Sequence, residues 1–88
     1  MKLAATPRFL ESIARPRRTQ VFAAMEAVAT AFGQPHLHAG VGLRRNRAFM
    51  ECRCGPDLRL IFRRENDSLV FLLCGTREDV TAFLSDPR

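Results

Sequence analysis

The sequence predicts an α+β fold: an N-terminal αα-hairpin packed on a small antiparallel β-sheet, with a short C-terminal helix. Three observations lead to this class. Apolar residues recur at helical spacing within residues 17–33, side chains alternate with a period of two from Ala48 onward, and Leu69–Cys74 is apolar throughout, as in a central strand. A chain of 88 residues supports one modest core, so residues 1–88 are predicted to form a single domain.

The N-terminal third is predicted to contain a short strand and two helices. The strand is Lys2–Ala5, and Thr6 with the proline after it supplies an N-cap and a first-turn proline for a helix over Pro7–Ala14. A second amphipathic helix begins at Arg17 and ends at Gly33. Because almost no linker separates the two helices, they are expected to form an αα-hairpin whose apolar face rests on a sheet.

The segment Gly33–Gly42 is predicted to be a loop that crosses from the helices to the sheet. It is rich in turn-forming residues and holds both histidines of the chain. A histidine in such a loop usually has no task, whereas His36 or His38 carried over a site would serve as a proton donor or acceptor. The sequence leaves both interpretations open.

The alternating segments that follow predict a β-hairpin around a Gly-Pro-Asp turn at residues 55–57. Every second side chain of each strand faces the core. The core-facing set is Ala48, Met50, Cys52 and Cys54, followed by Leu58, Leu60 and Phe62. The opposite set is Arg47, Phe49, Glu51 and Arg53, followed by Arg59, Ile61 and Arg63.

The C-terminal part is predicted to hold one more strand and one more helix. A second turn at Asn66–Ser68 leads into the apolar strand Leu69–Cys74. The segment Thr76–Asp79 has the form of a capping box, which begins a short helix. The inward-facing residues of that helix are Val80, Phe83 and Leu84.

The hairpin register follows from the parity of the core-facing residues, because a slip by one residue would bury arginines. The tightest register that fits the turn pairs Cys54 with Leu58, and it places Arg53 opposite Arg59 and Glu51 opposite Ile61. Two facing like charges cost a few tenths to about one kcal/mol, and Glu51 offsets part of that cost.

The predicted surface is therefore basic, with one carboxylate near its centre. Arg44 and Arg45 at the loop edge and Arg47 on the same strand face extend it. Such a surface is typical of a phosphodiester site. The alternative is a solvated face whose arginines only form salt bridges with Glu51 and other acids.

The composition agrees with either a phosphate-rich partner or an arginine-rich genome. The net charge is +5, and Lys2 is the only lysine, so arginines carry nearly all of the positive charge. The N-terminus lacks the apolar core of a signal peptide, the three cysteines are an odd count, and no apolar run is long enough to cross a bilayer. We therefore expect a cytoplasmic protein with reduced thiols and no membrane partner.

No metal or cofactor is predicted. The possible ligands are Cys52, Cys54, Cys74, His36 and His38, but the cysteines lie in strands among core residues, where Cys behaves as a small hydrophobe. Among the aromatic residues, those at helical spacing are expected in the core (Phe22, Phe32 and Phe83). Phe49, on the arginine face, is the one aromatic expected either to stack on a base or to be covered by a partner.

The order of elements and several stretches resemble the RelE/ParE superfamily of bacterial toxins over nearly the whole chain. The most specific stretch is the E-x-R-x-G-x-D-x-R-x-I-like core from Glu51 to Phe62. The other stretches are TPRFLESIA, PHLHAGVGLRR and LVFLLCGTREDV. The resemblance implies a small basic toxin of a type II toxin-antitoxin system, neutralised by a cognate antitoxin that wraps it, with operator DNA bound only through the antitoxin.

The resemblance implies one of two activities. RelE-like members are endoribonucleases that cut messenger RNA, commonly on the ribosome, whereas ParE-like members inhibit DNA gyrase without known hydrolytic residues. Translation inhibition by mRNA cleavage is our first interpretation, gyrase inhibition is the alternative, and a catalytically degenerate nucleic-acid-binding relative is the third.

The resemblance also assigns candidate site residues. Arg59 matches the strand arginine that holds the scissile phosphate, and Glu51 is placed as the base. The catalytic candidates are Glu51, Arg59 and Arg77, and the nucleic-acid-binding candidates are Arg44, Arg45, Arg47, Arg53 and Arg63. RNA-cutting relatives often place a Tyr or His near the end of the last strand, but this chain has no tyrosine, and its matching segment is Gly75–Asp79. The general acid is left open between Arg77 and a loop histidine.

Overall fold

The computed structural model describes residues 1–86, and it confirms the α+β class. The helices are α1 (Pro7–Ser12), α2 (Arg18–Ala31), α3 (His38–Val41) and α4 (Arg77–Ser85). The strands are β1 (Lys2–Ala5), β2 (Arg44–Asn46), β3 (Phe49–Cys54), β4 (Leu58–Glu65) and β5 (Ser68–Gly75). Short 3-10 turns precede α2 and α3. None of the helices in this part of the chain is long and apolar enough to cross a membrane.

The five strands form one sheet in the order β1-β5-β4-β3-β2. The pairs from β2 to β5 are antiparallel, as expected, but β1 pairs in parallel with β5, so the sheet is mixed. Parallel neighbours need a long connection, and here the whole chain between β1 and β5 supplies it. The sheet is also wider than expected, because β2 adds a strand at the edge of β3.

The predicted hairpin register is confirmed. Cys54 pairs with Leu58, and Arg53 lies opposite Arg59. Glu51 lies opposite Ile61. A β-bulge between Ile61 and Phe62 shifts the β4–β5 pairing beyond this point, and such bulges increase the local twist of a strand.

The main core lies between the sheet and the helices α1 and α2. Its buried residues come from both layers, as the αα-hairpin on a sheet requires. They are Phe9, Ile13, Val21, Met25, Val28, Leu43, Cys52, Cys54, Leu60, Phe62, Leu69, Phe71 and Cys74. The prediction that Phe22 belongs to the core is wrong: its side chain is 43% exposed, because it lies beside the buried stripe of α2.

A second, smaller core covers the opposite face of the sheet under α4. It consists of Ile61, Leu72, Leu73, Val80 and Phe83, with Phe49, Val70 and Leu84 partly buried against them. The ring of Phe49 packs edge-on against Phe83 at a centroid distance of 5.4 Å. Phe49 is therefore partly buried against this core, and its stacking on a base stays a prediction.

The segment predicted to be a loop, Gly33–Gly42, contains a 3-10 turn (Pro35–Leu37) and the single-turn helix α3. Pro35 stands in the first turn, and Gly42 ends the segment in the left-handed region at φ +64°. The amide of Gly42 donates to the Ala39 carbonyl and that of Leu43 to the His38 carbonyl, which are the two bonds of a glycine C-cap. A Cβ on Gly42 would lie 2.6 Å from Nε of Arg53.

Gly42→Ala is predicted to lower the free energy of unfolding by about 1–2 kcal/mol, because a side chain at positive φ is strained and would push against Arg53. Urea denaturation measures this change. Gly40→Ala in the same helix is the matched control, since a Cβ there meets nothing within 4 Å. The control should be neutral or stabilising by up to about 1 kcal/mol. Equal losses in both variants would contradict the explanation.

Candidate functional site

A buried carboxylate lies at the centre of the arginine-rich face. Glu51 is only 1% exposed, and its Oε1 atom accepts hydrogen bonds from Nε of Arg44 at 3.0 Å and from Nδ2 of Asn46 at 2.8 Å. Nη2 of Arg44 lies 3.0 Å from the same oxygen. This geometry depends on β2, which pairs Arg44 directly with Glu51. The guanidinium of Arg44 is thereby held at the surface while its carboxylate partner is buried.

The second oxygen of Glu51, Oε2, is buried and has no hydrogen-bond partner among residues 1–86. Nε of Arg59 lies 3.9 Å away, too far for a hydrogen bond but close enough for attraction between opposite charges. The carboxylate therefore faces two arginines and hydrogen-bonds only one of them. Within residues 1–86 the Arg59 guanidinium makes no hydrogen bond, so its donors are available to another acceptor.

Four arginines line one cleft of about 310 Å³ above this carboxylate. Its lining residues are Ala39, Gly42, Arg44, Arg53, Arg59 and Arg77. The four guanidinium groups come from three different elements: β2, the β3–β4 hairpin and the first turn of α4. The structure thus brings both arginine candidates for catalysis into one cleft with two of the binding candidates.

The guanidinium groups of the cleft are sparsely neutralised. Nη2 of Arg53 donates to the carbonyl of Ala39 at 3.0 Å, which fixes the side chain against α3 without using an acid. Within the described part of the chain, neither Arg53 nor Arg77 forms an ion pair. Four positive groups and one buried negative group leave a local excess of positive charge, so an anion is the ligand favoured by the cleft.

The other predicted arginines lie outside the lining of this cleft. Arg45 pairs with Met50 and so faces the main core side of the sheet. Arg47 stands in the β2–β3 turn at φ 58°, and its Nη1 lies 3.4 Å from the carbonyl of Leu84. Arg63 lies 3.4 Å from the carboxylate of Glu65. Their role in binding nucleic acid stays a prediction.

Neither histidine lines the cleft. A ring nitrogen of His38, Nε2, lies 3.2 Å from the carbonyl of Phe32, which ties α3 to the end of α2. His36 is exposed on the 3-10 turn. The contribution of α3 to the cleft comes instead from Ala39 and Gly42, which sequence reasoning missed. The signal was present in the pair Pro35 and Gly42, which start and stop a helical segment.

The three cysteines are buried and free, as predicted. Burial raises the pKa of the Cys52 thiol to about 12 and that of the Cys74 thiol to about 11, and it also raises the pKa of Cys54. The thiolate is the form of Cys that acts as a nucleophile or metal ligand, so these raised pKa values make the three thiols less reactive than exposed ones. Among the described residues, no group of three or more His, Cys, Asp or Glu side chains could hold a metal ion.

Native thiols are predicted to react with Ellman's reagent at pH 8 on the order of a hundredfold more slowly than thiols in urea. At that pH the raised pKa of Cys52 keeps its thiol protonated, and burial blocks the reagent. The rate of absorbance increase measures the reaction. Immediate reaction of all three thiols in the folded protein would contradict the burial of these side chains.

Glu51→Ala is predicted to lower the free energy of unfolding by about 1–3 kcal/mol, since it removes buried hydrogen bonds to Arg44 and Asn46. The cost stays moderate because the side chain of Arg44 is 66% exposed and remains solvated. Urea denaturation gives the value. Glu65→Ala, which breaks an exposed pair with Arg63, is the matched control and should change stability by less than about 0.5 kcal/mol. An unchanged free energy of unfolding in Glu51→Ala would contradict a stabilising role of the hydrogen bonds that Glu51 accepts from Arg44 and Asn46.

Comparison with known proteins supports the fold but not a close relationship. No protein-family model matches the chain, and no curated protein matches it. Among solved structures, YafQ from E. coli strain BL21(DE3) has 15% identity and a TM-score of 0.63, over 90% of this chain and 96% of that chain.

Two structures from Helicobacter pylori are also similar. A copper-bound mutant toxin has 16% identity and a TM-score of 0.55, over 91% of this chain and 98% of that chain. The conserved hypothetical protein HP0894 has 17% identity and a TM-score of 0.54, over 89% of this chain and 96% of that chain. The chain therefore has the fold of these proteins.

Proposed function

We propose that this chain is the toxin of a type II toxin-antitoxin pair, and that it inhibits translation by cleaving messenger RNA on the ribosome. The observation that carries the proposal is the grouping of Arg44, Arg53, Arg59 and Arg77 in one cleft over a buried carboxylate. The RelE-type fold and the toxin among the similar structures support the same assignment.

The chemistry of RNA cleavage suits such a cleft. The 2′-oxygen bonds to the adjacent phosphorus while the P–O5′ bond breaks, which leaves a 2′,3′-cyclic phosphate and a 5′-hydroxyl; a base takes the 2′-hydroxyl proton, and an acid or water gives a proton to the 5′-oxygen. Negative charge builds on the phosphate oxygens in the transition state, and fixed guanidinium groups stabilise that charge. Arg59 is the best placed of the four: Arg53 faces it across the hairpin, and Glu51 attracts it without hydrogen-bonding it. We assign Arg59 to the scissile phosphate and Arg77 to the same phosphate from the start of α4.

Glu51 is proposed to position arginines. Its carboxylate is 1% exposed beneath Arg44 and Arg59, so a 2′-hydroxyl reaches Oε2 only if these side chains move. The proposal that Glu51 also takes the proton as general base requires that movement. The electrostatic role of Glu51 requires no movement of these side chains, since the buried charge reduces the repulsion between the guanidinium groups with or without bound RNA.

The proposed protein partner is a cognate antitoxin with an acidic segment. The cleft has a local excess of positive charge, and the chain as a whole carries a net charge of +5, so carboxylates of a partner are drawn to this surface. A segment that orders as it binds covers such a surface efficiently. Operator DNA is proposed to be bound only through the antitoxin.

A second candidate function is non-catalytic inhibition of DNA gyrase. One specific observation favours it: the residues that line the arginine cleft include no side chain that transfers protons near neutral pH. A cleft of arginines alone binds an acidic protein surface or a phosphate without cleaving either. Both candidates use the same surface, so the effect of the protein on cells has to distinguish them.

Arg59→Ala is predicted to abolish growth arrest when the chain is induced without antitoxin. Loss of the guanidinium removes the group assigned to the scissile phosphate, and we expect at least a roughly hundredfold lower cleavage of transcripts. Growth and the sequencing of transcript ends measure the two effects. Arg18→Ala is the matched control, because Arg18 is exposed on α2, lies outside the cleft and is not a candidate site residue. Thermal melting verifies that both variants fold.

The same induction separates the alternatives. Cut transcripts in cells that make the unmodified chain, but not the Arg59→Ala variant, support the nuclease. Intact transcripts, together with a DNA damage response and filamentation, support gyrase inhibition and contradict RNA cleavage. Harmless induction rules out both toxic activities and leaves a nucleic-acid-binding module, whose affinity for RNA or DNA should fall steeply with salt.

A further inference from the structure

An acid lies close in sequence to the facing arginine pair, Arg53 and Arg59, but within residues 1–86 it forms an ion pair with neither. Asp57 is in the β3–β4 turn, two positions before Arg59, and long side chains at such a spacing are within reach of each other. Because the Arg59 guanidinium makes no hydrogen bond in this part of the chain, its donors are open to the carboxylate. The structure shows a different pairing, in which Asp57 is bound by Arg17.

Both oxygens of Asp57 are occupied by Arg17. Nη1 of Arg17 donates to Oδ2 at 3.0 Å and Nη2 donates to Oδ1 at 2.9 Å, which makes a bidentate pair. Such pairs are among the stronger hydrogen bonds of proteins, and their fixed geometry orients the carboxylate. The bonds lower the pKa of the Asp57 carboxyl, so the group is ionised at neutral pH. The two opposite charges cancel, and the turn therefore brings no net charge towards the arginine pair.

The Arg17 side chain is aimed at the turn by its own neighbours. Its Nε donates to Oε1 of Gln20 at 2.7 Å, which leaves the other edge of the guanidinium for Asp57. The amide nitrogen of Gln20 lies against Gly55, where a Cβ would collide with it. The backbone amide of Arg17 donates to the Ala14 carbonyl at 2.8 Å and closes the 3-10 turn before α2. The partner of the carboxylate is thus in place before any anion binds.

We propose that Arg17 is a positioning residue that keeps the Asp57 carboxylate away from the facing arginine pair, so that the pair stays available to an RNA phosphate. A freed carboxylate would bind one of these arginines and would repel a phosphate through its own charge. Glu51 already offsets part of the positive charge, so a second carboxylate at the cleft would remove much of the remaining excess. This inference rests on the proposed function, because it assumes that the arginine cleft holds an RNA phosphate.

A purely structural tie between the turn and α2 predicts a different pattern of effects. Arg17→Ala and Asp57→Ala break the same ion pair, so a structural tie predicts equal losses from both. The side chains of Arg17 and Asp57 are 30% and 55% exposed, and an ion pair with that exposure adds little to stability. In the proposed role the two variants differ, because Arg17→Ala frees a carboxylate and Asp57→Ala removes it.

The test measures the affinity of folded variants for an uncleavable RNA hexamer with methylated 2′-hydroxyls, by fluorescence anisotropy at low salt. Arg18→Ala is the matched control for Arg17→Ala, because it removes one positive charge at the next residue, which forms no ion pair within residues 1–86. Asp67→Ala is the control for Asp57→Ala, since Asp67 is an exposed acid of the β4–β5 turn, 3.9 Å from Lys2. Urea denaturation verifies that each variant folds.

Arg17→Ala is expected to bind the hexamer about threefold to tenfold more weakly than Arg18→Ala does. Adding Asp57→Ala to Arg17→Ala should restore the affinity, whereas adding Asp67→Ala should not, and Asp57→Ala alone should bind at least as tightly as the unmodified chain.

Three results would overturn the role proposed for Arg17 and leave the arginine cleft intact. They are equal affinities of Arg17→Ala and Arg18→Ala, equal losses in Arg17→Ala and Asp57→Ala, and a double variant with Asp57→Ala that stays as weak as Arg17→Ala. An unmodified chain that does not bind the hexamer overturns the proposed function together with this inference.

Discussion

The rest of the site depends on one constraint, which is that Arg53 and Arg59 lie directly opposite each other across the β3–β4 hairpin. The hairpin has no freedom to avoid it, because any one-residue slip would expose Leu60 and Phe62 and bury charged side chains. The structure relieves the repulsion in two ways that leave positive charge available. Glu51 attracts Arg59 from below, and the carbonyl of Ala39 accepts a hydrogen bond from Arg53. A carbonyl satisfies a donor without cancelling its charge, so the cleft stays basic.

The parts of the fold that obey a local period were predictable from the sequence. The parity of core residues in β3 and β4 determined their register, and Thr76 and Asp79 form the expected capping box. The short elements were not predictable, since α3 has four residues and β2 has three, too few to establish a period. The parallel pairing of β1 was also missed, because a strand in isolation does not reveal a partner that lies near the other end of the chain.

The candidate site was predictable only as a face of the hairpin. Alternation placed Glu51, Arg53 and Arg59 on one side, but it also placed Phe49 and Ile61 there, and these two pack under α4. Whether a residue on that face is covered depends on where a distant helix docks, which is a tertiary property. Arg44 was assigned to a loop edge, and its bond to Glu51 became visible only with the pairing of β2. The face therefore has an apolar half under α4 and a charged half that borders α3.

The parallel pairing of β1 with β5 also constrains the order of events during synthesis. Residues 2–5 leave the ribosome before residues 68–71, which are their strand partners. Until those emerge, β1 has no neighbour, and Phe9 lacks the Phe71 ring that lies 5.6 Å from it in the folded chain. Arg77 follows still later. A nascent chain therefore carries an open sheet edge and no complete cleft until residues 68–77 have emerged, so sheet closure and completion of the anion site occur almost together.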